Sequence, residues 1–195
     1  SGANATTITT LQLNSGVVTG SGLLTATTYN LVTGEVSGAL GAGVANVSGA
    51  VSLTGTTAAT TLNINTNGVL TLGGANRIAD TTSVVVDAGR LVLGGNDTVS
   101  TFGLLNGGSL AGTGVLTAGS YALQGGTVVA DLGGGIATVT SGVTLLNGLL
   151  GAATVGIDSG SLVLGGANRL ASGATVTLNG GTLDSGASAT TITTL

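Results

Sequence analysis

The feature that most constrains this chain is that it repeats itself. Residues 1–11 read SGANATTITTL and residues 185–195 read SGASATTITTL, an offset of 184 with one difference. LGGANRIA at 72–79 returns as LGGANRLA at 164–171, and GSGLLTATTYNL at 20–31 returns as GTGVLTAGSYAL at 112–123, both at an offset of 92. Half of 184 is 92. The 195 residues therefore read as one continuous array, with copies at 1–92 and 93–184 and the start of a third at 185–195. A chain built this way buries its apolar face against its own neighbouring repeats, so the fold is a stack of equivalent units.

A finer period lies inside each copy. Short corner turns start at Asn14, Val32, Ser48, Thr66, Asp87, Asn106, Gln124, Thr140, Asp158 and Asn179, in steps of 18, 16, 18, 21 and 19 residues that then recur. Nine of the ten end on glycine, at Gly16, Gly34, Gly68, Gly89, Gly108, Gly126, Gly142, Gly160 and Gly181; the turn at Ser48 has Ala50 instead. Glycine supplies a positive φ at a corner without steric cost. The residue before the turn is apolar in nine of ten, Leu31, Leu105 and Ile157 among them, and Asn65 is the exception. Between corners, segments such as ATVTLN (174–179) alternate apolar with small or polar residues, the period of a strand with one buried face. So many glycines and β-branched residues disfavour helix. The pattern predicts an all-β fold: a single-stranded parallel β-helix, or β-solenoid, of about ten coils of 16–21 residues. At about 4.8 Å per coil the rod is roughly 50 Å long, and one five-coil unit advances roughly 24 Å.

Composition agrees and excludes much chemistry. The chain has 38 glycines and no His, Cys, Met, Pro, Trp or Lys. It therefore has no histidine base, thiol nucleophile, disulfide, zinc-cysteine site, Schiff-base lysine or P-loop lysine. Three arginines, six aspartates and one glutamate give a net charge of −4 in a chain only 5% charged, the wrong sign and density for nucleic acid. Apolar residues make up 42%, so the chain must bury them in order, but only Tyr29, Tyr121 and Phe102 are aromatic, which makes the core aliphatic and thin. No apolar run is long enough to span a membrane. The start at Ser1, without a signal peptide, reads as a mature piece or a window of a longer array.

GSLVLGGANRLASGATVTLNGGTLDSG (160–186) resembles the passenger-associated β-strand repeat of bacterial autotransporters and of large secreted adhesins of the filamentous-haemagglutinin type. GVLTLGGANRIADTTSVVVDAGRL (68–91) and GSGLLTATTYNL are similar in the same way. The resemblance covers essentially the whole chain. It implies a right-handed β-helix, secreted across the outer membrane of a Gram-negative bacterium and displayed at the cell surface. The 92-residue unit is longer and more regular than that family's usual short repeat.

Candidate functional residues are few. At the 92-residue offset Asp80 meets Ser172, Asp87 meets Asn179, Asp97 meets Ala5 and Ala189, Asp131 meets Ala39, Asp158 meets Thr66, Asp184 meets Val92 and Glu35 meets Thr127. No carboxylate recurs, so none serves a site used once per unit. A one-copy carboxylate groove of Asp80, Asp87 and Asp97 with Arg90, as on a β-helical polysaccharide lyase, stays open as a remote alternative. Otherwise these are surface charges that keep the rod soluble. GGNDTV (94–99) is similar to one turn of a calcium-binding nonapeptide but occurs once, against GASATT in the other copy, so no stacked ligand array is expected. GALGAG (38–43) reads as corner glycines, not a phosphate loop. Asn4, Asn46 and Asn96 open formal glycosylation sequons, which matter only in a eukaryotic secretory route.

Arg77 and Arg169 do recur, within GGANR. They are candidates for lateral or ligand contact, against the alternative of corner arginines whose guanidinium bonds turn carbonyls. Tyr29 and Tyr121 recur with the parity of the core. Threonine is dense, as in TTITT (6–10 and 190–194), but a flat ice-binding array needs a strict T-x-T row, and TTITT meets TVSTF at 98–102. No catalytic, metal or cofactor site is expected. The expected function is structural: a segment of an extracellular bacterial fibre or surface stalk, whose partner is itself, by head-to-tail stacking or tandem continuation. An adhesin passenger binding host or neighbouring-cell ligands is the alternative.

Overall fold

A computed structural model describes residues 5–186. These residues are all-β without a helix, and their strands stack in parallel as a solenoid of about ten turns. One ladder carries the strand before each glycine corner. It runs Thr6–Leu13, Leu23–Leu31, Val44–Val47, Thr61–Ile64 and Ser83–Asp87. It continues through Asp97–Gly112, Val115–Val128, Ile136–Val139, Thr154–Ile157 and Thr175–Leu178. A second ladder carries the strand after the corner, from Val17–Val18 and Gly34–Val36 to Ser161–Leu164 and Thr182–Asp184. A shorter third ladder closes each coil, as in Ala39–Leu40 on Thr56–Thr57.

Alternation along each strand sends every second residue inward. Rows of like residues follow, because equivalent positions lie directly above one another. Leu31, Val47, Ile64, Val86, Leu104 and Leu123 form one buried row, each paired with the next. Burying one such aliphatic side chain contributes about 1.5–3 kcal/mol, and each coil repeats the gain.

The register differs from a rigid 92-residue offset at three corners. The buried residue before the fourth corner is Ile64, not Asn65, and before the sixth it is Leu104, not Leu105. The apparent exception at Asn65 thus disappears. In the second copy Thr144 and Leu146 point inward and Val143 is 61% exposed, whereas Val51 and Leu53 are buried in the first. Val51 therefore matches Thr144 and Ile64 matches Ile157, an offset of 93, and the offset returns to 92 by Leu70 and Leu162. One copy carries its extra residue in the corner near Ser141, the other in the corner Asn65–Gly68. The steps from Leu31 become 16, 17, 22, 18 and 19, the longest one residue beyond the expected range. A corner absorbs an extra residue because its backbone leaves the ladder. A strand cannot, since a one-residue slip turns its apolar set outward.

The corner glycines serve two purposes. Gly16, Gly34, Gly126, Gly142 and Gly160 have positive φ. At Gly68, Gly89 and Gly108 the left-handed residue is the one before (Asn67, Ala88 and Gly107). There the glycine is needed for close stacking: a Cβ at Gly89 would lie 2.6 Å from the Asn65 carbonyl oxygen, and one at Gly108 2.6 Å from that of Val86. A Cβ at Gly181 would meet the Ile157 side chain.

Candidate functional site

The GGANR corner is built alike in both copies. Left-handed Asn76 (φ 54°) and Asn168 (φ 55°) reverse the chain. The arginine carbonyls then accept hydrogen bonds from the preceding coil, Arg77 from Thr57 N and Arg169 from Leu150 N, both at 2.8 Å. Each guanidinium folds back over the second glycine of the motif, where a Cβ on Gly74 or Gly166 would come within 3.0 Å of Nη2. The main-chain carbonyl, not the side chain, ties the corner. Nε of both Arg77 and Arg169 is buried without a hydrogen-bond partner. Such a donor costs about 1–3 kcal/mol, and its presence in both copies makes it a property of the motif.

Asp97 is the one buried carboxylate among the described residues, 2% exposed. It is turned onto backbone N–H groups: Arg77 N donates to Oδ2 at 2.7 Å, Ile78 N at 3.3 Å and Thr98 N to Oδ1 at 3.0 Å. Burial pushes its carboxyl above the usual carboxylate range; the three N–H donors oppose the rise and the Asp80 charge adds to it. The GGNDTV segment therefore positions a coil-to-coil clasp. Among the described residues no cluster of three or more acidic side chains could hold a metal ion. The ladder matches Asp97 with Thr6, both paired to equivalent leucines (Leu116 and Leu24), and Asp158 with Asn65, which corrects the two gap-free pairings. Neither match is a carboxylate. Asp87 lies at another corner, bonded to Asn106 Nδ2 at 2.6 Å, and Arg90 stands on the second ladder, so neither joins Asp97 in a groove.

Both tyrosines are core staples. Tyr29 and Tyr121 are 0% and 1% exposed. Each hydroxyl accepts from a backbone N–H (Ala26 or Ala118, 2.9 Å) and donates to a carbonyl of its own or the next coil, such as Gly41 or Gly134. Burial raises the Tyr121 phenol above its ordinary pKa. A Cβ on Gly43 or Gly135 would meet the carbonyl oxygen of Ala26 or Ala118 and press on the tyrosine ring edge at 2.9 or 3.0 Å, which accounts for the last glycine of GALGAG and its counterpart in the second copy.

Two outward rows on the first ladder were only partly legible. One runs Thr10, Thr28, Val44, Thr61, Ser83, Thr101, Ser120, Ile136, Thr154 and Thr175. The row beside it starts Gln12, Asn30, Asn46, Asn63 and continues with Val85, Gly103 and Ala122, so no second threonine row flanks the first. Asn46 and Asn63 each donate to the asparagine one coil before, at 3.4 and 3.0 Å. That amide ladder escaped the sequence reading because its spacings, 16 and 17, become equivalent only once the coil steps are known. The TTITT at 190–194 and Ala189 lie outside the described residues.

No protein-family model matches the chain, and no curated protein or solved structure matches it. The geometry shows an all-β repeat solenoid with two equivalent arginine corners, and no helix among the described residues is long and apolar enough to cross a membrane.

Proposed function

We propose that the chain is a structural repeat segment of a bacterial extracellular fibre or surface stalk, associating or continuing end to end. The observation that carries this reading is that the outermost described coils are of the same core-bearing type as the coils between them. Among the described residues, Thr6–Leu13 pairs with Leu23–Leu31 and Thr175–Leu178 with Thr154–Ile157 in the same parallel manner as the interior coils. Solenoids that stay single close their ends with an atypical polar coil. Here the end coils carry core-type residues: Ile8 and Leu11 are only partly buried, and Leu178 is 41% exposed. Internal repetition supplies the matching surface. The fifth coil recurs as the tenth and the first as the sixth, and the fifth and sixth stack through Ser83–Asp87 on Asp97–Gly112. The tenth coil of one unit therefore suits the first coil of the next. The resemblance to secreted passenger repeats supports the location at the bacterial surface.

Leu178→Lys tests it. A lysine in the end row places an unpaired charge inside any stack, yet leaves the monomer fold, because that side chain is already half in solvent. Electron microscopy of the wild type is expected to show unbranched filaments and of the variant short particles with unchanged β circular dichroism. Short particles from both would refute the reading.

A further inference from the structure

The outward row on the third ladder ends each copy on an arginine. In the first copy it runs Leu23, Ala39, Thr56, Arg77, and in the second Val115, Asp131, Leu149, Arg169. In the second copy the inward neighbours Leu132, Leu150 and Leu170 are buried and bridged coil to coil. Asp131 and Leu149 therefore point outward at one residue per coil, and Arg169, partly exposed with its guanidinium folded over Gly166, takes the next place in the row. Asp131 is exposed and uses Oδ1 to accept Leu149 N at 2.7 Å, which leaves Oδ2 for a second partner. Leu149 is 38% exposed and Val129, two residues before Asp131, is 49% exposed. The first copy carries Ser37, Ala39 and Thr56 in place of Val129, Asp131 and Leu149, so the amphipathic patch belongs to the second copy alone.

An acid, an apolar centre and a base at equal spacing complement themselves under a two-fold axis. We propose that a second copy of this chain packs antiparallel on this corner, Leu149 against its own counterpart on the axis and Asp131 against the other molecule's Arg169, twice. Asp131 and Arg169 each lie one coil, about 4.8 Å, from Leu149, so both ion pairs form together when Leu149 sits on the axis. Such a contact is isologous and closes at two molecules. The apolar centre is smaller than that of a permanent dimer, so the two ion pairs carry the register and the dimer is a weak one. The pairing is lateral and stands apart from the end-to-end stacking proposed above.

The chain has no cysteine, so Leu149→Cys introduces a single thiol on the axis. Under mild oxidation this variant is expected to form a disulfide-linked dimer, while Thr56→Cys, at the same row position of the first copy, stays monomeric. In sedimentation, Arg169→Asp and Asp131→Arg each weaken the lateral dimer about tenfold or more. The double variant D131R/R169D restores it, and Arg77→Gln leaves it unchanged. Equal cross-linking of the two cysteine variants, or no rescue by the double variant, overturns the pairing. All measurements are made on the Leu178→Lys background, where end stacking is blocked, so the two associations succeed or fail separately.

Discussion

Replacing Asp97 with alanine tests the most unusual contact in the solenoid. The variant strips the acceptor from Arg77 N, Ile78 N and Thr98 N, bonded at 2.7, 3.3 and 3.0 Å, where Ile78 is 3% exposed. Three donors left without that acceptor cost about 3 kcal/mol or more together. The cost depends on pH with a definite sign. Burial raises the Asp97 carboxyl above its ordinary value of 3.8, so the folded chain holds that proton more tightly than the unfolded one. Its contribution is complete below 3.8 and is lost as pH rises through the raised folded value. Each unit of rise removes about 1.4 kcal/mol. Urea unfolding of wild type and Asp97→Ala across the acid-to-neutral range reads the difference, since the carboxylates other than Asp80, which couples to Asp97, cancel between the two chains. The loss in the variant is expected to be largest at the acid end and to shrink toward neutrality. A difference that grows with pH, or a variant as stable as the wild type throughout, refutes the reasoning.

The other expectations concern register and stacking. Thr144 Oγ1 is buried without a partner, so Thr144→Val stabilises by about 1–2 kcal/mol, whereas Val143→Thr, at a 61% exposed position, changes unfolding by less than about 0.5 kcal/mol; the gap-free register requires the opposite. Tyr121→Phe removes the hydroxyl that accepts Ala118 N at 2.9 Å and lowers stability by about 1–3 kcal/mol, measured by thermal melting, with Tyr29→Phe alike. Gly108→Ala drives a Cβ to 2.6 Å from the Val86 carbonyl oxygen and is expected to cost several times more than Gly107→Asn in urea midpoint. Gly107 has a φ of 84° with open space around it, a conformation that Asn67 and Asn106 already adopt.

The architecture was legible because a solenoid writes its geometry into one dimension. Each coil repeats the same corner and the same alternation, so the LGGANRIA pair and the glycine spacing suffice to show the stack. What the spacing did not show was where a coil hides an extra residue. Asn65 and Leu105 looked like core positions because the offset was held rigid at 92, while the ladder tolerates slack at corners and none in strands. The same slack concealed the Asn30, Asn46 and Asn63 ladder and set Asp97 opposite Ala5 instead of Thr6. Arg77 and Arg169 were visible as a repeated pair, but the sequence does not tell a guanidinium bonded to turn carbonyls from one folded over Gly74 or Gly166 with Nε unpaired. The Asp131, Leu149 and Arg169 row was illegible for a further reason. Its members are 18 and 20 residues apart, and only the coil-to-coil bridges at Leu132, Leu150 and Leu170 align them.

In the rod proposed above, five coils form one unit that continues into the next. X-ray diffraction from aligned fibres of the purified chain tests it most directly. Along the fibre axis the account expects a sharp reflection at about 4.8 Å, with strands perpendicular to that axis, and a layer line at roughly 24 Å or its multiples from the five-coil unit. The coil spacing without any five-coil order would contradict the stacking of the tenth coil on the first. Absence of the coil spacing from the axis would contradict the end-to-end arrangement itself.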